Sequence, residues 1–156
     1  MNTINDRQLS DLLTAALESI AFVLAERIDM EEAATYARPT HFARIAYSGA
    51  NSGEVILGAS DGFLRELASS LLGVEPEEIN VEEQGCDALR ELANIVGGSV
   101  VFELDGEDCR YTLGLPEPRE QPLPPCGATC ESAVESEGEV LIAQWHAGRT
   151  RQSTAA

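Results

Sequence analysis

The chain has 156 residues, enough for one domain with a substantial core, and 44% of them are hydrophobic. Against 27 acidic residues stand ten basic ones, all arginine, for a formal charge of −17. Nucleic acid and anionic membranes are bound through clustered positive charge, so this surface excludes both as partners and favours proteins with a basic face.

No apolar run approaches the ~18 residues needed to span a bilayer, so membrane insertion is not expected. The polar start, Met1 to Arg7, lacks the basic and then apolar regions of a signal peptide, and a soluble, cytoplasmic protein is expected. Residues 5 to about 34 carry Leu9, Leu13, Ala16, Leu17, Ile20 and Leu24 at helical spacing, with Asn5 or Ser10 as cap. Pro39 closes off further helix. Residues 41–47 then alternate in character, Ser48 to Gly53 turns, and 54–59 returns, which predicts a β-hairpin. His41, alone at a strand start, is read as structural or solvated.

Ser60 or Asp61 caps a second helix, with Phe63, Leu64, Leu67, Ala68, Leu71 and Leu72 turned inward and Gly73 as its stop. An acidic connector, residues 74–85, leads into a third helix from Val81 or Glu82 to about Leu104, ended by Asp105-Gly106. Its carboxylates gather where the helix dipole favours them. Residues 109–115 read as a strand, and the proline-rich 116–125 must be loop or sheet edge. Residues 128–135 and 139–145 form a last hairpin, and the small, polar 148–156 a disordered tail. This order predicts α+β architecture: an antiparallel sheet with the long helices packed on one face, in a single domain over 1–147. Helix followed by strand pairs occurs twice, which suggests an ancient duplication of helix-strand-strand units.

Four cysteines stand at 86, 109, 126 and 130. Cys126-x3-Cys130 has the spacing of half a zinc site, but no second tight pair follows, and His41 and His146 are distant in sequence. Free thiols are expected, and no metal site of the protein's own.

The third helix holds the stretch with most chemistry. At about 100° per residue, Asp87, Glu91, Asn94 and Gly98 fall within roughly 60° of one another, opposite Leu89, Leu92, Ile95 and Val96. An Asn inside a helix aids helicity little, and Gly97 and Gly98 each cost about 1 kcal/mol against Ala. A stripe that accepts these penalties is expected to be used. Asn94 offers a donor and an acceptor that can hold a water in one orientation, Glu91 can pair with a partner's lysine, and Gly98 leaves room for another protein's backbone. Phosphoryl transfer needs little more than such alignment and charge stabilisation.

Asp87-x3-Glu91-x2-Asn94-x3-Gly98, with prolines some twenty residues later, resembles the motif of the CheC, CheX and FliY phosphatases of bacterial chemotaxis. The continuation Asn-Ile-Val-Gly-Gly is most similar to CheX-like domains. The resemblance implies the CheC-like fold and a two-component signalling hydrolase whose helix enters the active site of a phosphorylated CheY-like response regulator. Asn94 would then orient the water that attacks the aspartyl phosphate, and Glu91 would pair with the regulator's lysine, both being catalytic; Asp87 and Gly98 would join Glu91 in partner binding. Mg2+ would belong to the partner, with no cofactor in this chain. CheX proteins resemble one another in pairing through sheet elements, so a homodimer is implied. Two departures stand out. Pro116 and Pro118 straddle the position of the family proline, and Ala21, three residues after Glu18, stands where two-site relatives would carry a second Asn. A non-catalytic interaction module of the same fold is the alternative, and a metal-binding protein using the cysteines is a third.

Overall fold

The computed structural model describes residues 3–105 and 110–148. Helix α1 spans Asp6–Ala21. Asn5 caps it reciprocally: its side chain accepts from the Gln8 amide at 2.8 Å, and its own amide donates to the Gln8 side chain at 3.0 Å. Ser10, the alternative cap, is buried inside the helix. The helix does not run on to residue 34. Phe22 turns left-handed at φ 55°, and the amides of Phe22 and Val23 fold back onto the carbonyls of Glu18 and Leu17. That closure satisfies the last carbonyls, and the chain leaves as strand β1, Glu26–Ile28, and a short helix α2, Met30–Ala33. Leu24, expected on the core stripe, is consequently 75% exposed. Helical spacing persists in the sequence past the point where sheet pairing takes over.

The predicted hairpin forms from β2, His41–Gly49, and β3, Gly53–Ala59, in register from His41↔Ala59 to Tyr47↔Gly53. Helix α3, Asp61–Leu72, is capped by Ser60, whose hydroxyl accepts from the Phe63 amide and donates to Glu139 at 2.8 Å. Gly73, at φ 71°, ends it. Leu72, expected inward, faces largely outward. A 3-10 turn, Pro76–Glu78, and a π-helical turn, Val81–Gly85, lead into helix α4, Cys86–Asp105. Strands β4, Tyr111–Leu113, β5, Glu117–Arg119, β6, Cys130–Ser136, and β7, Glu139–Ala147, complete the chain. Cys109 and Gly106 lie outside the described residues, as does the expected tail beyond Gly148, whose amide donates to the Ser52 carbonyl.

All sheet pairings are antiparallel, in the order β1-β6-β7-β3-β2, with β4 and β5 both on the outer side of β2. The order exposes the duplication more fully than the sequence does. Each long helix is followed by an edge strand and a hairpin, α1-β1-β2-β3 and α4-β4/β5-β6-β7. Each unit's edge strand pairs with the other unit's hairpin, and each helix packs over it as well, α1 on β6 and α4 on β2. The repeat is therefore helix-strand-strand-strand, not helix-strand-strand; its first edge strand, β1, lies in the span whose spacing predicts helix.

Helices α1, α3 and α4 bury one face of the sheet, with Ile45, Leu57, Leu92 and Trp145 at its centre. The Trp145 indole N–H donates to the Tyr47 hydroxyl at 3.0 Å inside this core. A smaller cluster on the opposite face joins Val140 and Ile142 to Met30, Tyr36 and Leu123. The proline-rich segment thus does two things. Its β5 part is sheet edge, and Leu123 then covers the back of the sheet. Leu113 faces Tyr47 whereas Glu117 faces Arg44, so four steps along the edge span three along β2, a bulge at Gly114 to Pro116. Pro118 sits opposite Ala43 beyond that bulge, on the outermost strand, where a missing N–H costs no ladder bond.

Candidate functional site

Helix α4 divides as its periodicity predicts. Leu89, Leu92, Val96 and Val100 are sealed in the core, while Asp87, Glu91 and Asn94 are exposed and Gly98 is partly so. Ile95, at the boundary of the two faces, is half-buried rather than internal. The two glycines have different reasons. A Cβ on Gly97 would stand 2.7 Å from Ile45 Cγ2 and 3.2 Å from Leu113 Cδ1, so its bareness lets α4 approach the sheet. Among the described residues, a Cβ on Gly98 would meet only Leu113 Cδ2, at 3.9 Å, so their packing leaves that position open.

Glu91 and Asn94 lie three residues apart, with Cβ atoms roughly 5–6 Å from each other on one helix face. A carboxylate and a carboxamide so spaced can touch one small object together. Among the described residues, no side-chain hydrogen bond or ion pair engages either of them. Asp87 differs: its carboxylate is held by Arg90 on the next turn. Beside the stripe, Leu71 and Leu72 of α3 and Gln84, Asp87 and Glu91 line a cleft of about 330 Å³. The outward-facing Leu72 is thereby explained as a wall of this cleft.

Sequence reasoning missed one member of the stripe. Phe102, four residues beyond Gly98, extends the stripe about 40° further round and is 57% exposed. An aromatic in line with a polar stripe was the available signal. On α1, Ala21 is buried, so the duplicated helix presents no second stripe of this kind.

Cys126 and Cys130, which have the spacing of half a zinc site, differ in their surroundings. Among the described residues, Cys126 is exposed, Cys130 is buried on β6 with its thiol pushed up to about 12 by burial and by Asp6, and neither joins a cluster of three ligating groups. The histidines behave unlike each other. His146 is buried on β7, its Nε2 2.8 Å from the Gln144 side-chain oxygen. His41, far from Cys86 in sequence, reaches it across the fold, with Glu82 as third member. Burial first, and then the Glu82 carboxylate, push the Cys86 thiol above its usual range.

Among the described residues, no helix is long and apolar enough to cross a membrane. The family model of the chemotaxis phosphatase CheX matches residues 42–120, which hold α4 and the sheet edge it packs on. Among proteins of curated function there is no significant match. Solved structures share the fold at low identity. The chemotaxis protein CheX of Vibrio vulnificus is 17% identical at a TM-score of 0.72, over 89% of this chain and 93% of that one. A CheC-like protein from Shewanella sp. PV-4 is 16% identical at 0.71, over 94% and 99%. A CheX from Borrelia burgdorferi, solved with CheY, BeF3 and Mg2+, is 14% identical at 0.67, over 94% and 100%.

Proposed function

This chain belongs to the CheX family of chemotaxis phosphatases, and on that premise we propose that it hydrolyses the aspartyl phosphate of a CheY-type response regulator. The observation that carries this reading is the pair Glu91 and Asn94, exposed on one face of α4 and unengaged within the described residues. The complex of the Borrelia relative with CheY supports the choice of partner.

In the proposed reaction, α4 enters the receiver beside its phosphorylated aspartate. The Asn94 carboxamide accepts one hydrogen bond from a water and donates another to it, aiming its oxygen at phosphorus in line with the leaving carboxylate. The P–O bond to the aspartate breaks as the bond to water forms. Inorganic phosphate and a free carboxylate result, and the water's proton passes to phosphate and solvent. Glu91 forms an ion pair with a receiver lysine and fixes the helix in the cleft. Mg2+ is held by the receiver and there stabilises charge on the phosphoryl oxygens. Gly98 admits the partner's backbone, and Phe102 offers it an aromatic surface at the far end of the stripe. Asp87 braces Arg90, so its part in binding is to set that cation at the rim. The strongly acidic surface speeds encounter with a basic receiver face and makes it salt-dependent.

The test is the dephosphorylation of a phosphorylated receiver, with Asn94→Ala measured against the wild type. Loss of an interaction made chiefly in the transition state should nearly abolish the acceleration. Binding to the beryllofluoride-activated receiver should stay largely intact. An Asn94→Ala protein that works at the wild-type rate would show that the stripe is only a solvated face. Tight binding without any acceleration by the wild type would make the protein a non-catalytic receiver-binding module.

A further inference from the structure

We propose that His41, Glu82 and Cys86 form a site for a borderline divalent transition-metal ion, zinc foremost, which ties the start of β2 to the start of α4. One ring nitrogen of His41, a carboxylate oxygen of Glu82 and the Cys86 sulfur all lie within 4.8 Å of one another. A tetrahedral ion with bonds of roughly 2.0–2.3 Å holds its ligand atoms about 3.3–3.8 Å apart. A small closing movement would therefore complete the site, and the residue able to make it is evident. Glu82, on the π-helical turn, has an 81% exposed side chain, whereas that of His41 is 14% exposed on the sheet and Cys86 is half-buried in the first turn of α4. Glu82 already reaches His41 Nε2 at 3.1 Å.

A second observation concerns the imidazole. Thr40 Oγ1 lies 2.9 Å from His41 Nδ1. Without an ion, the Glu82 carboxylate can only accept, so Nε2–H donates to it and the Thr40 hydroxyl donates to Nδ1. With an ion at Nε2, the proton sits on Nδ1 and donates to the same hydroxyl, which holds the ring in place. Metal-ligating histidines are held by a partner on the other nitrogen in this way. A thiolate, an imidazole and one carboxylate suit zinc and its d-block neighbours, not Mg2+ or Ca2+, which require several oxygens. Three protein ligands leave a fourth position for water. On coordination the Cys86 proton passes to solvent and no redox change occurs. Cys86 stands five residues before Glu91, about 7.5 Å along the helix axis, so the ion would brace the helix without touching the proposed phosphoryl site.

The test uses the whole protein, stripped of metal by a chelator and titrated with Co2+, then Zn2+, in excess Mg2+. One equivalent of Co2+ should bind and develop thiolate-to-cobalt charge-transfer absorption in the near ultraviolet, and Zn2+ should displace it. Cys86→Ser should abolish the band and Cys126→Ser should leave it unchanged. His41→Gln and Glu82→Gln should each weaken Zn2+ binding at least tenfold. Should His41→Gln fail to fold by circular dichroism, the exposed Glu82→Gln decides. No stoichiometric binding, a band that survives Cys86→Ser, or competition by Mg2+ would overturn the proposal. Receiver dephosphorylation is a separate readout, so the two proposals fail independently.

Discussion

Gly97 and Gly98 are adjacent in the same helix, yet only one of them should be stabilised by replacement with Ala. Both substitutions gain about 1 kcal/mol of helix propensity. For Gly98→Ala that gain stands alone, because the new methyl meets its one neighbour at 3.9 Å, an ordinary contact distance. For Gly97→Ala the methyl arrives 2.7 Å from Ile45 Cγ2, about 1 Å inside the optimum. Ile45 is 1% exposed and β-branched, so its Cγ2 cannot swing aside without shifting the strand. Overpacking of this kind costs about 1–3 kcal/mol, which cancels the propensity gain and leaves a net loss of about 0–2 kcal/mol. The two variants should therefore lie about 1–3 kcal/mol apart in urea denaturation, or roughly 2–12 °C in Tm. A double-mutant cycle with Ile45→Ala localises the cause. The combined loss should be smaller than the sum of the single losses by about 1 kcal/mol or more. Equal stabilisation by both alanines, or an additive cycle, would refute the assignment of Gly97 to close packing. Gly98→Ala carries a second reading: more stable than wild type, it should still bind the activated receiver more weakly, because the methyl intrudes on the proposed partner's path.

Glu91→Gln should lower both receiver affinity and dephosphorylation rate, with about 1–3 kcal/mol lost in binding for a desolvated pair, whereas Phe102→Ala should lower affinity and leave the single-turnover rate of the bound complex unchanged; titration and rapid-quench assays separate them. Tyr47→Phe removes the acceptor of the buried Trp145 N–H and should cost about 1–3 kcal/mol in chemical denaturation. The Arg110 side chain and amide beside Asp105 hold its carboxyl below the usual range. That stabilisation is complete above the ordinary carboxylate value of about 3.9 and is lost as pH falls through the lower folded value. Asp105→Asn should thus be less stable than wild type at neutral pH, with the gap closing in acid; a gap unchanged down to pH 2 would exclude the pair as its source.

Strongly periodic segments were legible because one face of each must enter a core. The alternation of β2, the inward Phe63, Leu64, Leu67 and Ala68 of α3, and the opposition of Leu89, Leu92 and Val96 to Asp87, Glu91 and Asn94 all follow from periods of two and 3.6. The end of α1 was not legible. Leu24 continues the helical spacing, and only pairing with β6, distant in sequence, makes the next residues an edge strand. The α4 stripe was enough to carry the family resemblance from the chain alone.

Tertiary structure decided what depends on distances between remote segments. Gly97 and Gly98 look alike as letters, and the sheet assigns one to packing and leaves the other open. Phe102 joins the stripe because nothing in the described structure covers it, and Leu72 turns outward to wall the cleft. His41 meets Cys86 only because β2 begins where α4 begins. The swapped edge strands of the two units likewise arise from long-range pairing, which no local pattern encodes. Local periodicity fixes what a segment can form; which surfaces then face each other is set by burying all the apolar faces at once.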